Sequence, residues 1–292
     1  PGGYTAALYT SRANLSTLVL EKLTPGGQMG TTDVIDNYPG FPEGVNGFDL
    51  AMQMKQGAER FGVKTELAEV VSVELEGPVK QVRTKSGTYQ ARTVVLASGA
   101  HPRELGLSGE RELRGRGVSY CATCDGMFYR GKTVVVVGGG NTAVSDVLYL
   151  SRLCEKVYLV HRRDTLRASK VYLDPLQKAE NVEFVWDSEV KQLLRDQAVT
   201  GVRVRNKKTG EERDIPCAGV FVAVGYLPNT QLYRGQVELD EAGYVLADET
   251  TQTNLPGVFA VGDLRKKPLR QVVTAASDGA VAAHFIEEYL NQ

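Results

Sequence analysis

The sequence has no apolar run long enough to cross a bilayer as a helix, so an integral membrane protein is not expected. It also lacks a surplus of charge of either sign. Its 34 Lys and Arg against 35 Asp and Glu leave a net −1, without the basic excess that nucleic-acid binders carry. Histidine is scarce and scattered, at His101, His161 and His284 only. Cysteine is scarce as well: four in 292 residues, of which Cys154 and Cys217 stand alone. A zinc site would need two further ligands close to Cys121 and Cys124, so no metal centre is expected. Four cysteines in so long a chain do not form the disulfide framework of a small secreted domain, and reduced thiols suit the cytoplasm.

What is present begins with Cys121-Ala122-Thr123-Cys124-Asp125. Two cysteines at this spacing can close a small disulfide at the start of a helix, where the dipole and neighbouring cations lower a thiol's pKa. Asp125 is placed to hand a proton to a departing thiolate. The length implies two domains, and 31 glycines in clusters point to close backbone approach to ligands.

A duplication organises the rest. Residues 3–12 read as a helix and 17–20 as a strand ending at Glu21. Residues 133–137 form a β-branched run, followed by Gly138-Gly139-Gly140, an apolar helix and a strand at 157–160. A shift of 140 positions lays Gly3 on Ala143, Tyr9 on Tyr149, Arg12 on Arg152 and Glu21 on His161. In the second copy Gly138-x-Gly140-x-x-Ala143 follows a strand and opens a helix, the context for a pyrophosphate at a helix N-terminus. His161-Arg162-Arg163, with Arg167 beyond, suits a ribose 2′-phosphate and hence NADPH; a solvated basic loop beside Asp164 is the plainer alternative. The first copy carries Glu21, which suits the free 2′-hydroxyl of FAD. Its preceding strand is absent and only Pro1-Gly2-Gly3 remains of the turn, so the chain is expected to be a fragment of a longer protein.

Gln28, after Pro25-Gly26-Gly27, and Asn37, within Asp36-Asn37-Tyr38-Pro39-Gly40, are either flavin contacts or plain turn residues. Residues 47–61 read as an amphipathic helix, 70–74, 79–84 and 89–92 as hairpin strands, and 93–97 as a buried strand leading to Ser98-Gly99. A helix is expected to end at 176–179, with strands at 182–185, 190–195, 202–206, 213–215 and 220–224. Residues 101–117 and 225–229 read as crossings between domains. A strand at 258–261 ends in Gly262-Asp263, where the carboxylate either meets a ribityl hydroxyl or caps a turn. A helix is expected over 271–290.

Cys121–Gly126, Gly138–Ala143, His161–Asp164, Gly219–Thr230, Gly257–Asp263 and Arg270–Ala276 occur in the order found in bacterial-type low-molecular-weight thioredoxin reductases, and the chain resembles that family over essentially its whole length. The resemblance implies an α/β fold of two Rossmann-like nucleotide-binding domains, three-layer β/β/α, with an NADPH domain (105–230) inserted into a FAD domain (1–104 and 231–292). It implies a homodimer whose domains swing. It implies transfer of electrons from NADPH through FAD and the Cys121–Cys124 disulfide to thioredoxin, with Cys124 facing the flavin, Cys121 exchanging with thioredoxin and Asp125 as acid. Gln28, Asn37, Gly262, Asp263 and Gln271 would line FAD; Arg162, Arg163 and Arg167 would hold the 2′-phosphate. Also counted as cofactor-binding are Gly2, Gly3, Glu21, Gly27, Val71, Ser98, Gly99, Gly138, Gly140, Asn141, Thr142, Ala143, His161, Arg270 and Val272. Ser98-Gly99 departs from the family's commoner threonine-glycine but keeps a hydroxyl. A dithiol oxidase of the same fold would not need NADPH, and a cofactor-free fragment would have no flavin absorbance.

Overall fold

In a computed structural model that describes all residues except 33, 170–172, 174 and 177, the chain opens on helix α1 (Gly2–Arg12), which buries Tyr4, Ala6, Ala7 and Thr10. Asn14, in the left-handed region at φ 61°, turns the chain into β1 (Leu18–Glu21), so Glu21 is the last residue of its strand. Helix α2 (Gly47–Glu59) is started by Asn46, whose side chain accepts the amides of Phe48 and Asp49. It stops two residues short of the expected end, and Gly62 at φ 92° releases the chain. Next comes β2 (Lys64–Leu67), parallel to β1. The antiparallel strands β3 (Val70–Glu74), β4 (Lys80–Thr84) and β5 (Thr88–Ala91) follow, then the short β6 (Val94–Leu96) and β7 (Ala100–Pro102).

Contacts divide the chain into one unit of Pro1–His101 with Leu227–Gln292 and another of Pro102–Tyr226. The second unit holds β8 (Val118–Ser119), α3 (Ala122–Asp125), β9 (Thr133–Gly138), α4 (Asn141–Leu150), β10 (Lys156–Val160) and β11 (Val182–Val185). After these run β12 (Ser188–Arg195), β13 (Val199–Asn206), β14 (Glu212–Pro216) and β15 (Gly219–Ala223). The helix expected to end at 176–179 includes residue 177, outside the described residues.

The sheet order β11-β10-β9-β15-β8 is parallel throughout, and β12-β13-β14 form an antiparallel meander. The run Val134–Val137 shows why the layers form. Side chains of successive strand residues point to opposite faces. Val134 and Val136 join Ala143, Val144, Val147 and Leu150 of α4 in one core. Val135 and Val137 join Leu193, Val202 and Val204 of the meander in the other. A parallel strand covered on both faces carries β-branched residues at every position.

The crossing stretch ahead of β8 is tied down by Glu110, a carboxylate only 2% exposed. It accepts the amides of Leu105, Gly106 and Leu107 at 2.8–3.1 Å and the hydroxyl of Tyr120 at 2.7 Å. Four donors offset the desolvation of this charge.

The chain returns through β16 (Tyr226–Pro228) to the first unit. There β17 (Val258–Ala260) lies parallel to β6, and α5 (Val272–Leu290) completes the layer. The same two-faced logic holds. Leu96, Val258 and Ala260 pack with Val73, Leu75 and Val245, while Phe259 and Val261 pack with Ala282 and Ile286 of α5. Helices α1 and α5 touch backbone to backbone at Gly279, where a Cβ would stand 2.7 Å from the Ala6 nitrogen and collide with the Gly2 carbonyl.

Candidate active site

Cys121 and Cys124 are joined as a disulfide, with Cα atoms 5.3 Å apart. Strand β8 delivers the chain to Cys121, the N-cap of α3. The helix behind the pair is a single turn followed by a 3₁₀ turn, Gly126–Tyr129. One turn sums few peptide dipoles, so the expected helix-dipole effect on the thiols is small. A hydrogen-bonded cluster takes its place. The Ser119 hydroxyl donates to Asp125 Oδ2 at 2.6 Å, and the Cys121 amide donates to Ser119 Oγ at 3.1 Å. Gly126 lets this turn sit against α4, since a Cβ there would lie 2.8 Å from the Tyr149 ring. Cys154 and Cys217 are free and buried, and burial pushes their thiols up to about 11 and about 12, which keeps them protonated and inert.

In the same unit the glycine loop is built for close approach. A Cβ on Gly138 would lie 2.6 Å from that of Ala143, so strand and helix meet without one. Gly140, the N-cap of α4, faces open space. Asn141 and Thr142 are exposed and Ala143 is buried. Asn141 Oδ1 accepts the Ser169 amide at 2.9 Å, and the Arg167 amide donates to the Gly139 carbonyl at 2.7 Å, drawing the arginine loop back over the glycines.

His161 does not belong with the exposed cations. It is 5% exposed, its ring fills the space a Gly139 side chain would take, and it meets Trp186 edge-on. Burial first, then the charges of Arg162 and Arg167, push its pKa down, so the ring is neutral at pH 7. Arg162, Arg163 and Arg167 are exposed, and none makes an ion pair among the described residues. Asp164, the nearby acid that left the basic loop ambiguous, is held by Lys208 at 3.2 Å.

In the other unit Gly2 and Gly3 open α1, and Gln271 caps α5. Gly2 is close enough to Val261 that a Cβ would stand 3.0 Å from its side chain, and a Cβ on Gly3 would lie 3.1 Å from Ala97. Gly27 takes φ 57°, and Gln28 Nε2 donates to the Ala100 carbonyl. Asn37 donates to Gln271 Oε1 at 2.9 Å, and Gln271 forms a capping box with Thr274 one residue ahead of Val272.

Asp263 follows Gly262, which sits at φ 75°. Burial holds its carboxyl above the usual range, against the pull of Arg270 and Lys267. Arg270 stacks on Tyr244 at 4.0 Å and donates to the Asp263 carbonyl. Ser98 Oγ donates to the Asn229 carbonyl at 2.7 Å, and Gly99, at φ 68°, accepts the Asn229 amide. The serine hydroxyl thus pins the returning strand. Val71, half-exposed at a bulge of β3, joins none of these contacts.

Sequence reasoning missed Asp278. It accepts the Gly262 amide at 2.8 Å, Lys267 at 2.6 Å and Arg265 at 3.1 Å, all buried or nearly so. The signal was available: Ala275, Asp278, Ala282 and Ile286 recur at three- and four-residue spacing, which puts a carboxylate on the apolar face of α5. Replacing Asp278 with alanine leaves two buried cations and an amide unpaired, and is expected to cost about 3–5 kcal/mol of stability. Urea denaturation checks this, with an unchanged midpoint the contrary result.

Among the described residues no group of three His, Cys, Asp or Glu could hold a metal ion, and no helix is long and apolar enough to cross a membrane. The family model described as pyridine nucleotide-disulphide oxidoreductase matches residues 1–279. The chain is 48% identical over 291 residues to a thioredoxin reductase of Mycolicibacterium smegmatis, covering 99% of this chain and 94% of that protein. It is 47% identical over 292 residues to a bifunctional thioredoxin reductase/thioredoxin of Mycobacterium leprae, covering 99% of this chain and 64% of that one. The crystal structure of a thioredoxin reductase from Streptococcus pyogenes MGAS5005 superposes with a TM-score of 0.92 at 43% identity, covering 100% of this chain and 95% of that one.

Proposed function

The chain belongs to the pyridine nucleotide-disulphide oxidoreductases, among the bacterial-type thioredoxin reductases, and from that premise we propose how its residues divide the reaction. The reaction is reduction of the thioredoxin disulfide with electrons from NADPH by way of FAD. The observation that carries the assignment is the Cys121–Cys124 disulfide beside Asp125, in the unit that also holds the open glycine loop and three exposed arginines.

The residues fit both cofactors. Gly140 leaves open space at the start of α4, and Arg162, Arg163 and Arg167 supply guanidiniums for a 2′-phosphate. Gly2, Gly3, Glu21, Asp263 and Gln271 would hold FAD, the half-buried Asp263 carboxyl being matched to a hydroxyl donor. Bound there, FAD would supply the two-electron chemistry that links a nicotinamide hydride to a disulfide.

The protein's own residues do the rest. Cys124 is the sulfur presented to the flavin, and Cys121, when freed as a thiolate, attacks the disulfide of thioredoxin. Asp125 donates a proton to the sulfur that leaves. Neutral His161 wedges the glycine loop so that the arginines, and no carboxylate, meet the ribose. The bifunctional relative, which joins a reductase and a thioredoxin in one chain, supports thioredoxin as partner. The working form is a homodimer in the cytoplasm.

Anaerobic titration of the flavin-loaded protein tests this. NADPH is expected to bleach the flavin at far lower concentration than NADH, and added thioredoxin to restore its absorbance. Equal response to both nucleotides would refute the arginine assignment, and bleaching without onward transfer would favour a dithiol oxidase.

A further inference from the structure

Ser119 belongs to none of the motifs, yet it is the best-connected side chain at the redox pair. It ends β8, is 3% exposed, and its hydroxyl oxygen has three polar neighbours. Asp125 Oδ2 lies 2.6 Å away, the Cys121 amide donates to it at 3.1 Å, and the Cys121 carbonyl stands 3.3 Å off. We propose that Ser119 is a positioning residue that keeps Asp125 hydrogen-bonded in both of its protonation states while the Cys121–Cys124 disulfide opens and closes. The inference rests on the redox reading of that pair.

A hydroxyl carries one proton and two lone pairs. When Asp125 is ionised, the proton goes to the carboxylate, the closer acceptor. When Asp125 is protonated, the carboxyl donates to Ser119, whose own proton turns to the Cys121 carbonyl. The Cys121 amide occupies the remaining lone pair in both cases. The acid is therefore held at one place whether or not it has given up its proton, and the backbone of Cys121 is held with it. Alanine removes a charge-assisted donor from the ionised form but only a neutral acceptor from the protonated form, so the protonated form persists to higher pH.

The step can be isolated with dithiothreitol. Its thiolate attacks one sulfur of the pair. A mixed disulfide bond forms, the Cys121–Cys124 bond breaks, and the departing sulfur takes the electron pair and the Asp125 proton. The second thiol of the reagent then expels the other cysteine. Two electrons and two protons pass from reagent to protein, and the reagent ends as its cyclic disulfide.

Other titratable groups near Asp125 are separable. Tyr129 is pushed up to about 12, by burial first and then by the Asp125 charge, and Cys217 is pushed up to about 12 by burial. Both stay protonated below about pH 9. Glu110 is bonded to Tyr120, whose hydroxyl burial pushes further from titration. Asp146 on α4, the helix against α3, is pushed up to about 7 by burial and needs its own control.

The experiment follows reduction of the disulfide in the flavin-loaded protein without NADPH, from about pH 4 to about pH 9. Quenching with N-ethylmaleimide and mass spectrometry give the rate, which is divided by the dithiothreitol thiolate concentration. The wild type is expected to fall from a high plateau to a lower one as Asp125 ionises. Asp125→Asn abolishes the inflection and Asp146→Asn leaves it. Ser119→Ala moves it up by about one pH unit, the size expected for the difference between a charge-assisted and a neutral hydrogen bond. Ser119→Thr, which keeps the hydroxyl, returns it toward the wild-type position. Alanine is the smaller residue, and circular dichroism of each variant verifies the fold. A Ser119→Ala inflection at the wild-type pH overturns the proposal, as does an inflection that survives Asp125→Asn. Failure of the redox reading itself would show differently, as serine variants of the cysteines that still turn over thioredoxin.

Discussion

Serine at Cys121 or at Cys124 is expected to lower NADPH-driven thioredoxin reduction by about a thousandfold or more, because removing one member of a unit that acts together removes nearly all of its effect. The disulfide links the N-cap of one-turn α3 to a residue within it, with no second thiol able to replace it: Cys154 and Cys217 are buried and held protonated. The loss should be confined to the last transfer. Bleaching of the flavin by NADPH is expected to survive in both variants, since the glycine loop, the arginines and the residues around Asp263 are untouched. A coupled assay with thioredoxin, run beside flavin absorbance, separates the two steps. Turnover at the original rate in either variant would remove the basis for the assignment.

Removing the guanidiniums of Arg162 and Arg167 together is expected to raise the KM for NADPH by roughly a hundredfold to ten-thousandfold, while NADH kinetics change little. Each charge-assisted hydrogen bond to a phosphate contributes about 1.5–3 kcal/mol, which is roughly tenfold to a hundredfold in affinity. The structure favours a large effect because these side chains are exposed without an acid partner among the described residues, Asp164 being held by Lys208. The contrast with NADH matters most. A merely destabilised loop would weaken both nucleotides alike, whereas loss of the 2′-phosphate contacts weakens one. Comparable losses for NADPH and NADH would return these arginines to the solvated surface.

Much of the architecture was legible because it is written in short-range pattern. The β-branched run that became β9, the glycines after it and the apolar helix α4 follow one another within eighteen residues. Local geometry determines such a unit almost completely. The meander was equally readable, although β13 begins at Val199, ahead of the expected 202. Reading failed where a residue's role depends on a neighbour that pattern does not supply. His161 stands in the sequence with two arginines, and only the packing shows that it turns inward onto Gly139. Asp278 and Gly262 are sixteen residues apart and meet only because α5 folds back over the strand-end turn. The helix expected after the cysteines is a single turn, and nothing in Ala122–Tyr129 marks where α-helical bonding gives way to a 3₁₀ turn. Ser119 was passed over for the same reason: a lone serine ahead of a motif carries no signal until its hydroxyl is seen against Asp125.

The near-contact of α1 with α5 at Gly279 has a consequence for biogenesis. Translation makes α1 before α5, with the whole of Pro102–Tyr226 between them. Domains fold as units while the nascent chain emerges, so the segment bearing the cysteines can close on itself while its host still waits for a partner helix. For that interval α1 exposes Ala6 and the small-residue face that Gly279 will later cover.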